Sequence, residues 1–314
     1  MRLTQSKSFL DTMKPTVSIA MPVFNCEATV GAAIRSIQAQ TFQDWELIVI
    51  DDGSSDKTMA VAQMFHDARI RLVNGGKNVG LPARLNEAVQ LSRGKYFARM
   101  DGDDLSYPTR LERQLTYLRV NPEVDLLGGA VSIFDGKGRL IGIRAARLTH
   151  DEICGTWWRH HTLAHVTWMG PIEWFQKNAY CPDALTTQDR ELLMRARRHS
   201  RYAAVPDILV GVREATISLK KIIPARRRFA VVNLREGIRH GKIFAGVLTA
   251  SAEVAKLLLD MFAVGTGLNY HILRHRATPT SDAAIAAEWQ SVWNLTHTPG
   301  LPQLETALTA NPNL

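Results

Sequence analysis

Three carboxylates, Asp101, Asp103 and Asp104, fall within four residues directly after a predicted buried strand, Tyr96 to Met100. Hard divalent cations take oxygen ligands, and Mg²⁺ takes only one or two protein carboxylates when substrate phosphates supply the rest. An Asp-x-Asp at a strand end therefore suits a cation held against a diphosphate. Alone the string is a weak signal, since acidic loops are common on protein surfaces. Its weight depends on the elements that carry it.

Those elements alternate. Val17-Ser-Ile-Ala-Met21 is a short apolar run ended by Pro22, the pattern of a buried strand. Val30, Ala33, Ile34 and Ile37 then recur at helical spacing, with Asn25 placed as an N-cap. Leu47 to Ile50 predicts a second strand, ending in the turn Asp51-Asp-Gly-Ser-Ser55, from which a helix through Met64 starts. Strands over Ile70 to Val73, Tyr96 to Met100 and Val124 to Phe134 are separated by helices over Leu81 to Leu91 and Pro108 to Asn121. The pattern predicts an α/β fold, a mostly parallel sheet covered by helices on both faces. In open sheets of that kind ligands bind at the carboxyl edge, where both acidic turns fall.

Length and composition narrow the classes. The chain has 314 residues, 46% hydrophobic and 22% charged, which excludes wholesale disorder, collagen and a coiled-coil rod and suits one large domain with an appendage. No stretch offers the 18 uncharged apolar residues of a spanning helix. The first fifteen residues lack the apolar core of a secretory signal. Cys26, Cys154 and Cys181 are far apart and lack Cys-x-x-Cys spacing, which speaks against a disulfide scaffold or zinc site and for a reducing cytoplasm. The net charge is +8, yet Arg190 to Lys242 holds 14 Lys/Arg against four acids, leaving the rest slightly negative. Such a block attracts an anionic partner, a phospholipid surface or a polyphosphorylated ligand, or is a solvated helix face. No nucleic-acid-binding motif accompanies it.

Several ordered strings together resemble family 2 glycosyltransferases of GT-A fold. They are Val17-Ser-Ile-Ala-Met-Pro-Val-Phe-Asn25, Gln40 to Asp56 through Ile-Val-Ile-Asp-Asp-Gly-Ser-Ser, Asn78-Val-Gly-Leu-Pro-Ala-Arg-Leu-Asn86 and Ala98-Arg-Met-Asp-Gly-Asp-Asp104. Pro108 to Gln114 and Asn121 to Gly128 extend the match, which covers roughly residues 15 to 220. The resemblance implies a Rossmann-like mostly parallel sheet with a helical C-terminal extension. It divides the chain into a tail (1–14), a catalytic domain (15–222, with the nucleotide-sugar half to about 134 and the acceptor half after it) and the extension (223–314).

It also implies an inverting transferase that uses Mg²⁺ or Mn²⁺ and a nucleotide-diphosphate sugar, with UDP favoured. Pro22, Phe24, Asn25 and Glu27 fall where family members line the nucleotide pocket. Asp52 matches a carboxylate that accepts from the base, Asp101 the acid near the ribose, and Asp103 the metal ligand, with Asp104 assisting. Competing structural readings stay open: Pro22 and Phe24 as a packed strand cap, Asp52 as a helix N-cap.

Asp189, in Thr187-Gln-Asp-Arg-Glu191, matches the catalytic base, which takes the proton of an acceptor hydroxyl. Gln188 replaces the family's usual Glu. The bland reading of Asp189 is an acid at the positive end of a helix dipole. His165 and Trp168, in His-Val-Thr-Trp-Met169, stand on the acceptor side or in the core. Trp157, Trp158 and Trp174 share that ambiguity. Arg213 stands where a diphosphate contact is expected, although the family's following His is absent.

Ile243 to Leu268 is Ala-, Val- and Leu-rich, but Glu253, Lys256 and Asp260 fall three and four apart on one helical face. An amphipathic helix after Arg226-Arg-Arg228 suits an anionic membrane surface, a homo-oligomer interface or packing on the domain. The expected acceptor is a glycan or glycolipid of polysaccharide or cell-envelope synthesis, and the expected location is cytoplasmic, peripheral on the inner face of the membrane. The alternatives are a sugar nucleotidyltransferase, against which Pro22-Val-Phe-Asn-Cys-Glu27 lacks the Gly-rich basic loop, and a non-catalytic protein binding membrane or nucleic acid through the 190–242 block.

Overall fold

The computed structural model describes residues 14–155, 163–185, 187–214, 219–239, 241–266 and 277–297. Trp157, Trp158 and Ala215 to Ser218 lie outside them. At the centre is β1 (Val17–Val23), buried along its whole length. It pairs in parallel with β2 (Trp45–Asp51) on one side and β4 (Tyr96–Arg99) on the other. β3 (Ile70–Asn74) adds in parallel to β2. Crossovers α1 (Val30–Gln38), α2 (Thr58–Gln63) and α3 (Leu81–Leu91) cover the strands, as uniform apolar runs separated by amphipathic segments require. Pro22 lies inside β1. The ladder to β4 ends at Ala20–Arg99, so its missing N–H falls where the strand has only β2 as a neighbour.

Beyond β4 the sheet is mixed. The order is β3-β2-β1-β4-β8-β6-β9-β5, with β5 (Leu105–Ser106), β6 (Leu126–Phe134), β8 (Met169–Pro171) and β9 (Tyr202–Arg213), and β7 (Leu140–Arg144) forms a hairpin on β6. β8 runs antiparallel to both β4 and β6, while β9 is parallel to β6. One core layer joins β1, β2 and β6 to α1 and α4 (Arg110–Val120); the opposite layer joins Phe97, Trp168 and Tyr202 to α3, α6 (Ile172–Lys177) and α7 (Gln188–Ala196). The short helix α5 (His150–Gly155) packs near β9.

The C-terminal segments part company. α8 (Leu219–Arg239) and α9 (Ile243–Thr266) form a hairpin. It closes tightly because Gly237 meets Gly246: a Cβ on Gly237 would lie 2.6 Å from the Gly246 Cα. The last described helix, α10 (Ala283–His297), instead returns to the sheet. Trp289 is buried against Phe134 with ring centroids 4.6 Å apart, and its Nε1 donates to the Gly138 carbonyl at 2.8 Å. Thr278 pairs with Ile143 of β7 through two backbone hydrogen bonds of 2.9 Å.

Candidate active site

Strand β4 delivers Arg99 into the acidic turn at the carboxyl edge. Gly102 lets that turn press onto β1, since a Cβ there would lie 2.8 Å from Val23 Cγ1 and 3.1 Å from the Cys26 sulfur. Carboxylate oxygens of Asp101, Asp103 and Asp104 all come within 4.8 Å of one another. Their environments differ. Asp101 accepts from Arg99 Nη2 at 2.5 Å, and Asp104 is buried and accepts the Arg213 N–H at 2.8 Å. Asp103 is the open one.

Crowding by protein atoms, then the Asp101 charge, hold the Asp103 carboxyl above the ordinary carboxylate range. Asp104 is pushed up further, first by burial and then by both neighbours. Behind the cluster, Arg110 is fully buried, with Nη2 donating to the Arg99 carbonyl at 2.7 Å; burial lowers its guanidinium to about 9. Three acids converging on an all-oxygen donor set, with one carboxylate open, fit a hard divalent cation.

A cavity of about 520 Å³ opens beside Asp103. Pro22, Phe24, Asn25, Glu27, Asp56, Asp101 and Arg213 share its wall. Phe24 is half exposed at the mouth, so it is no core cap. Asn25 does not cap α1; the residue at that position is Thr29, whose hydroxyl donates to the Gly102 carbonyl at 2.9 Å. Asn25 instead takes a left-handed φ of 48° and ties the two strand-end loops, accepting from the Ser55 N–H at 2.8 Å. Glu27 accepts from the Lys57 N–H at 2.8 Å. Arg213, ending β9, stacks its guanidinium over Phe134 at 4.8 Å and donates from Nε to the Asp103 carbonyl at 3.1 Å.

Asp52, Asp189, His165 and Trp168 are not in that wall. Asp52 is buried and caps no helix. Its oxygens accept from the Val79 and Gly80 N–H groups at 2.8 and 3.0 Å and from Arg84 Nε at 2.9 Å. Trp168 is fully buried, its Nε1 donating to the Leu163 carbonyl at 3.3 Å, so its indole offers no face to a sugar. Trp174 is buried likewise.

His165 Nε2 lies 3.0 Å from the Tyr180 hydroxyl. Burial pushes the Tyr180 phenol well up, Arg99 opposes that, and Asp189 and Asp101 both add to it. One buried phenol thus lies within electrostatic reach of both the first turn of α7, where Asp189 sits, and the acidic turn after β4. The side-chain oxygen of the adjacent Gln188 is buried with no hydrogen-bond partner among the described residues. Arg99 and Arg110 fall inside the matched strings with no role attached to them, and Tyr180 falls in none, because neither periodicity nor a short motif marks a residue that matters by burial.

Comparison with known proteins agrees with this geometry. The model of glycosyl transferase family 2 matches residues 18–178. EpsE of Bacillus subtilis, assigned to the glycosyltransferases, is 39% identical over 137 residues, 43% of this chain and 48% of its own length. WfgD of Escherichia coli, named as a UDP-Glc:alpha-D-GlcNAc-diphosphoundecaprenol beta-1,3-glucosyltransferase, is 38% identical over 144 residues, 44% of this chain and 56% of its own. The chain therefore spans about half the length of these curated relatives.

Among solved structures, Staphylococcus aureus TarS 1-349 in complex with UDP-GlcNAc superposes with a TM-score of 0.54 at 15% identity, covering 90% of this chain and 80% of that one. The mannosyltransferase PcManGT from Pyrobaculum calidifontis, in complex with GDP-Man and Mn²⁺, gives 0.53 at 16% identity, covering 90% and 87%. These likenesses establish the GT-A fold.

Proposed function

The chain belongs to glycosyl transferase family 2, and on that premise we propose that it moves a sugar from a nucleotide-diphosphate donor, with uridine favoured, to a hydroxyl of a glycan or lipid-linked glycan, inverting the anomeric carbon. The observation that carries the reading is the single cavity in which the Pro22–Glu27 loop, Asp101, Asp103 and Arg213 meet at the carboxyl edge of a parallel sheet.

In this proposal residues 15–222 are the catalytic unit. Pro22, Phe24 and Asn25 flank the base and Asp101 the ribose. Asp52 shapes the base pocket by holding the Val79–Gly80 backbone. Asp103, with Asp104 behind it, takes Mg²⁺ or Mn²⁺, which when bound supplies Lewis-acid compensation for charge developing on the leaving diphosphate. Arg213 adds a fixed cation on the same side, held in place by Phe134 and the Asp103 carbonyl. Asp189 takes the proton of the acceptor hydroxyl as that oxygen attacks. Gln188 offers a buried acceptor for a second hydroxyl, and His165 with Tyr180 orders the acceptor side. The Mn²⁺ complex of PcManGT, the UDP-GlcNAc complex of TarS and the lipid-diphosphate acceptor in the name of WfgD support the donor, cation and acceptor classes. A WfgD-like acceptor further suggests envelope glycan synthesis on the cytoplasmic face.

The test is incubation with a panel of nucleotide sugars and Mn²⁺, reading released nucleoside diphosphate and, by NMR, the anomer of the product. The proposal expects release with at least one UDP-sugar, an inverted product, and loss of transfer in Asp189→Asn. A retained anomeric configuration, or pyrophosphate-dependent formation of a nucleoside triphosphate, overturns it.

A further inference from the structure

We propose that the α8–α9 hairpin lies flat in the surface of a lipid bilayer and that the cavity under α8 receives the phosphate headgroup of a lipid resident there. The membrane seat stands on its own; only the identification of that lipid as the lipid-linked acceptor rests on the proposed transfer.

The hairpin buries an ion-pair cluster between its helices: Arg226 pairs with Glu253 at 2.8 Å and Asp260 at 3.1 Å, Lys256 with Glu253 at 2.8 Å, and both acids are buried. Its large apolar side chains face out. On α9 Phe244 is 83% exposed, Leu248 60%, Leu258 62% and Phe262 64%, and on α8 Val231, Leu234 and Ile238 are exposed as well. On α9 these four positions share the helix face opposite Glu253 and Asp260, and on α8 the three recur three and four residues apart, so each helix carries an apolar stripe. Isolated exposed leucines are ordinary, but a continuous stripe opposite a buried polar face marks a surface that water does not cover in use. No helix among the described residues is long and apolar enough to cross a membrane. A helix pair with such a stripe lies in the interface plane.

The cavity gives the charge complement. It holds about 550 Å³ between the start of α7 and α8, with Arg227, Arg228 and Arg235 beside Ile223 and Val231. Of its two acids, Asp183 and Glu191, the latter is already paired with Arg195 at 2.8 Å. Planar guanidinium groups bind phosphate oxygens in pairs, and the adjoining apolar side chains suit the first carbons of a lipid tail. Ile223, Val231, Arg227 and Arg235 of its lining are solvent-exposed, and Val231 belongs to the α8 stripe, so the cavity opens at the edge of that stripe. Thr187, the cap residue of α7, and Glu191 in its first turn line it, so a lipid phosphate held here lies against the start of that helix. A second copy of the chain fits the stripe less well, because a symmetric contact would bring the two copies' arginines together.

Flotation of the full chain with three vesicle types tests the inference: phosphatidylcholine alone, phosphatidylcholine with phosphatidylglycerol, and phosphatidylcholine with a polyisoprenyl diphosphate at matched charge. Wild type is expected to partition at least tenfold more to both anionic types than to the neutral one, and most to the diphosphate vesicles. Leu258→Ser/Phe262→Ser is expected to lose at least tenfold on every vesicle while retaining its thermal melt and UDP affinity; Val247→Ser/Leu248→Ser repeats the test should the first pair fail to fold. Arg227→Ala/Arg235→Ala is expected to lose the preference for diphosphate over phosphatidylglycerol. Equal partition of wild type and the stripe variants overturns the membrane seat. So does a stable dimer in sedimentation velocity that the stripe variants dissociate. Inorganic pyrophosphate that binds the cavity while diphosphate vesicles gain nothing over phosphatidylglycerol overturns the lipid assignment. Partition does not depend on turnover, so absence of sugar transfer would strike the proposed function and leave the membrane seat standing.

Discussion

Arg213 Nε donates to the Asp103 main-chain carbonyl at 3.1 Å across 110 residues of sequence, while the Arg213 N–H holds the Asp104 carboxylate at 2.8 Å. The end of β9 and the acidic turn after β4 are thereby one rigid unit, with a cation fixed beside the open carboxylate. Replacing Arg213 by Ala keeps the backbone bond and removes the guanidinium. Release of nucleoside diphosphate at saturating donor should fall about 100-fold, the scale for losing one preorganised charge partner. Arg213→Lys should recover only part of it, because Lys lacks the planar fork that stacks on Phe134. Wild-type turnover in Arg213→Ala would remove Arg213 from the site.

A second expectation concerns pH. The Asp103 and Asp104 carboxyls stand above the ordinary range, so their charged forms are disfavoured in the folded chain. For the metal-free protein that contribution favours folding below the ordinary carboxylate range and is lost as pH rises through the raised range. A bound cation reverses the preference, since it needs the deprotonated acids. Added Mn²⁺ should therefore raise Tm by about 5 °C at neutral pH when present at a hundredfold excess over its Kd. At about pH 5, close to the ordinary carboxylate range, the increment should shrink, and EDTA should abolish it at both. Thermal melts at the two pH values check this; an increment independent of pH contradicts it.

Asp52 separates a structural role from a ligand contact. Its carboxylate accepts two backbone N–H groups and the buried Arg84 guanidinium. Asp52→Asn removes one of the two carboxylates that Arg84 faces, the other being Glu87 at 2.7 Å, and one of the acceptors, for a stability loss of about 2 kcal/mol in urea unfolding. Full stability with weakened donor binding alone would return Asp52 to the role of a direct base contact.

The β1–β4 half was legible because β1, β2 and β4 are short buried runs separated by amphipathic helices, and the strings around Asn25, Asp52 and Asp103 mark its loops. What stayed hidden depends on distant contacts. Trp168 has the composition of a sugar-stacking residue, and only the pairing of β8 with β4 shows that it is buried. The spacing of Glu253, Lys256 and Asp260 predicts one polar face and is right about that, but spacing cannot tell which face meets α8. Asp189 carries a motif signal, while Tyr180, the residue linking its neighbourhood to Asp101, carries none.

The return of α10 is testable through stability. Trp289 fills the space left by Gly211, where a Cβ would lie 2.3 Å from the indole. Trp289→Ala should cost about 3–5 kcal/mol by denaturant unfolding. It should also lower turnover, because Phe134 supports both Trp289 and Arg213. A loss below about 1 kcal/mol would mean that α10 does not contribute to the core.

The central claim is that Asp103 and its neighbours grip a cation against a nucleoside diphosphate in the cavity beside the Pro22–Glu27 loop. Calorimetric titration of UDP into wild type and Asp103→Asn, each with Mn²⁺ or with EDTA, addresses it directly. Affinity should be at least about tenfold higher with Mn²⁺ in wild type, as one carboxylate–cation contact of ~1.4 kcal/mol requires, and that gain should vanish in Asp103→Asn. Equal affinity in all four titrations would contradict the claim.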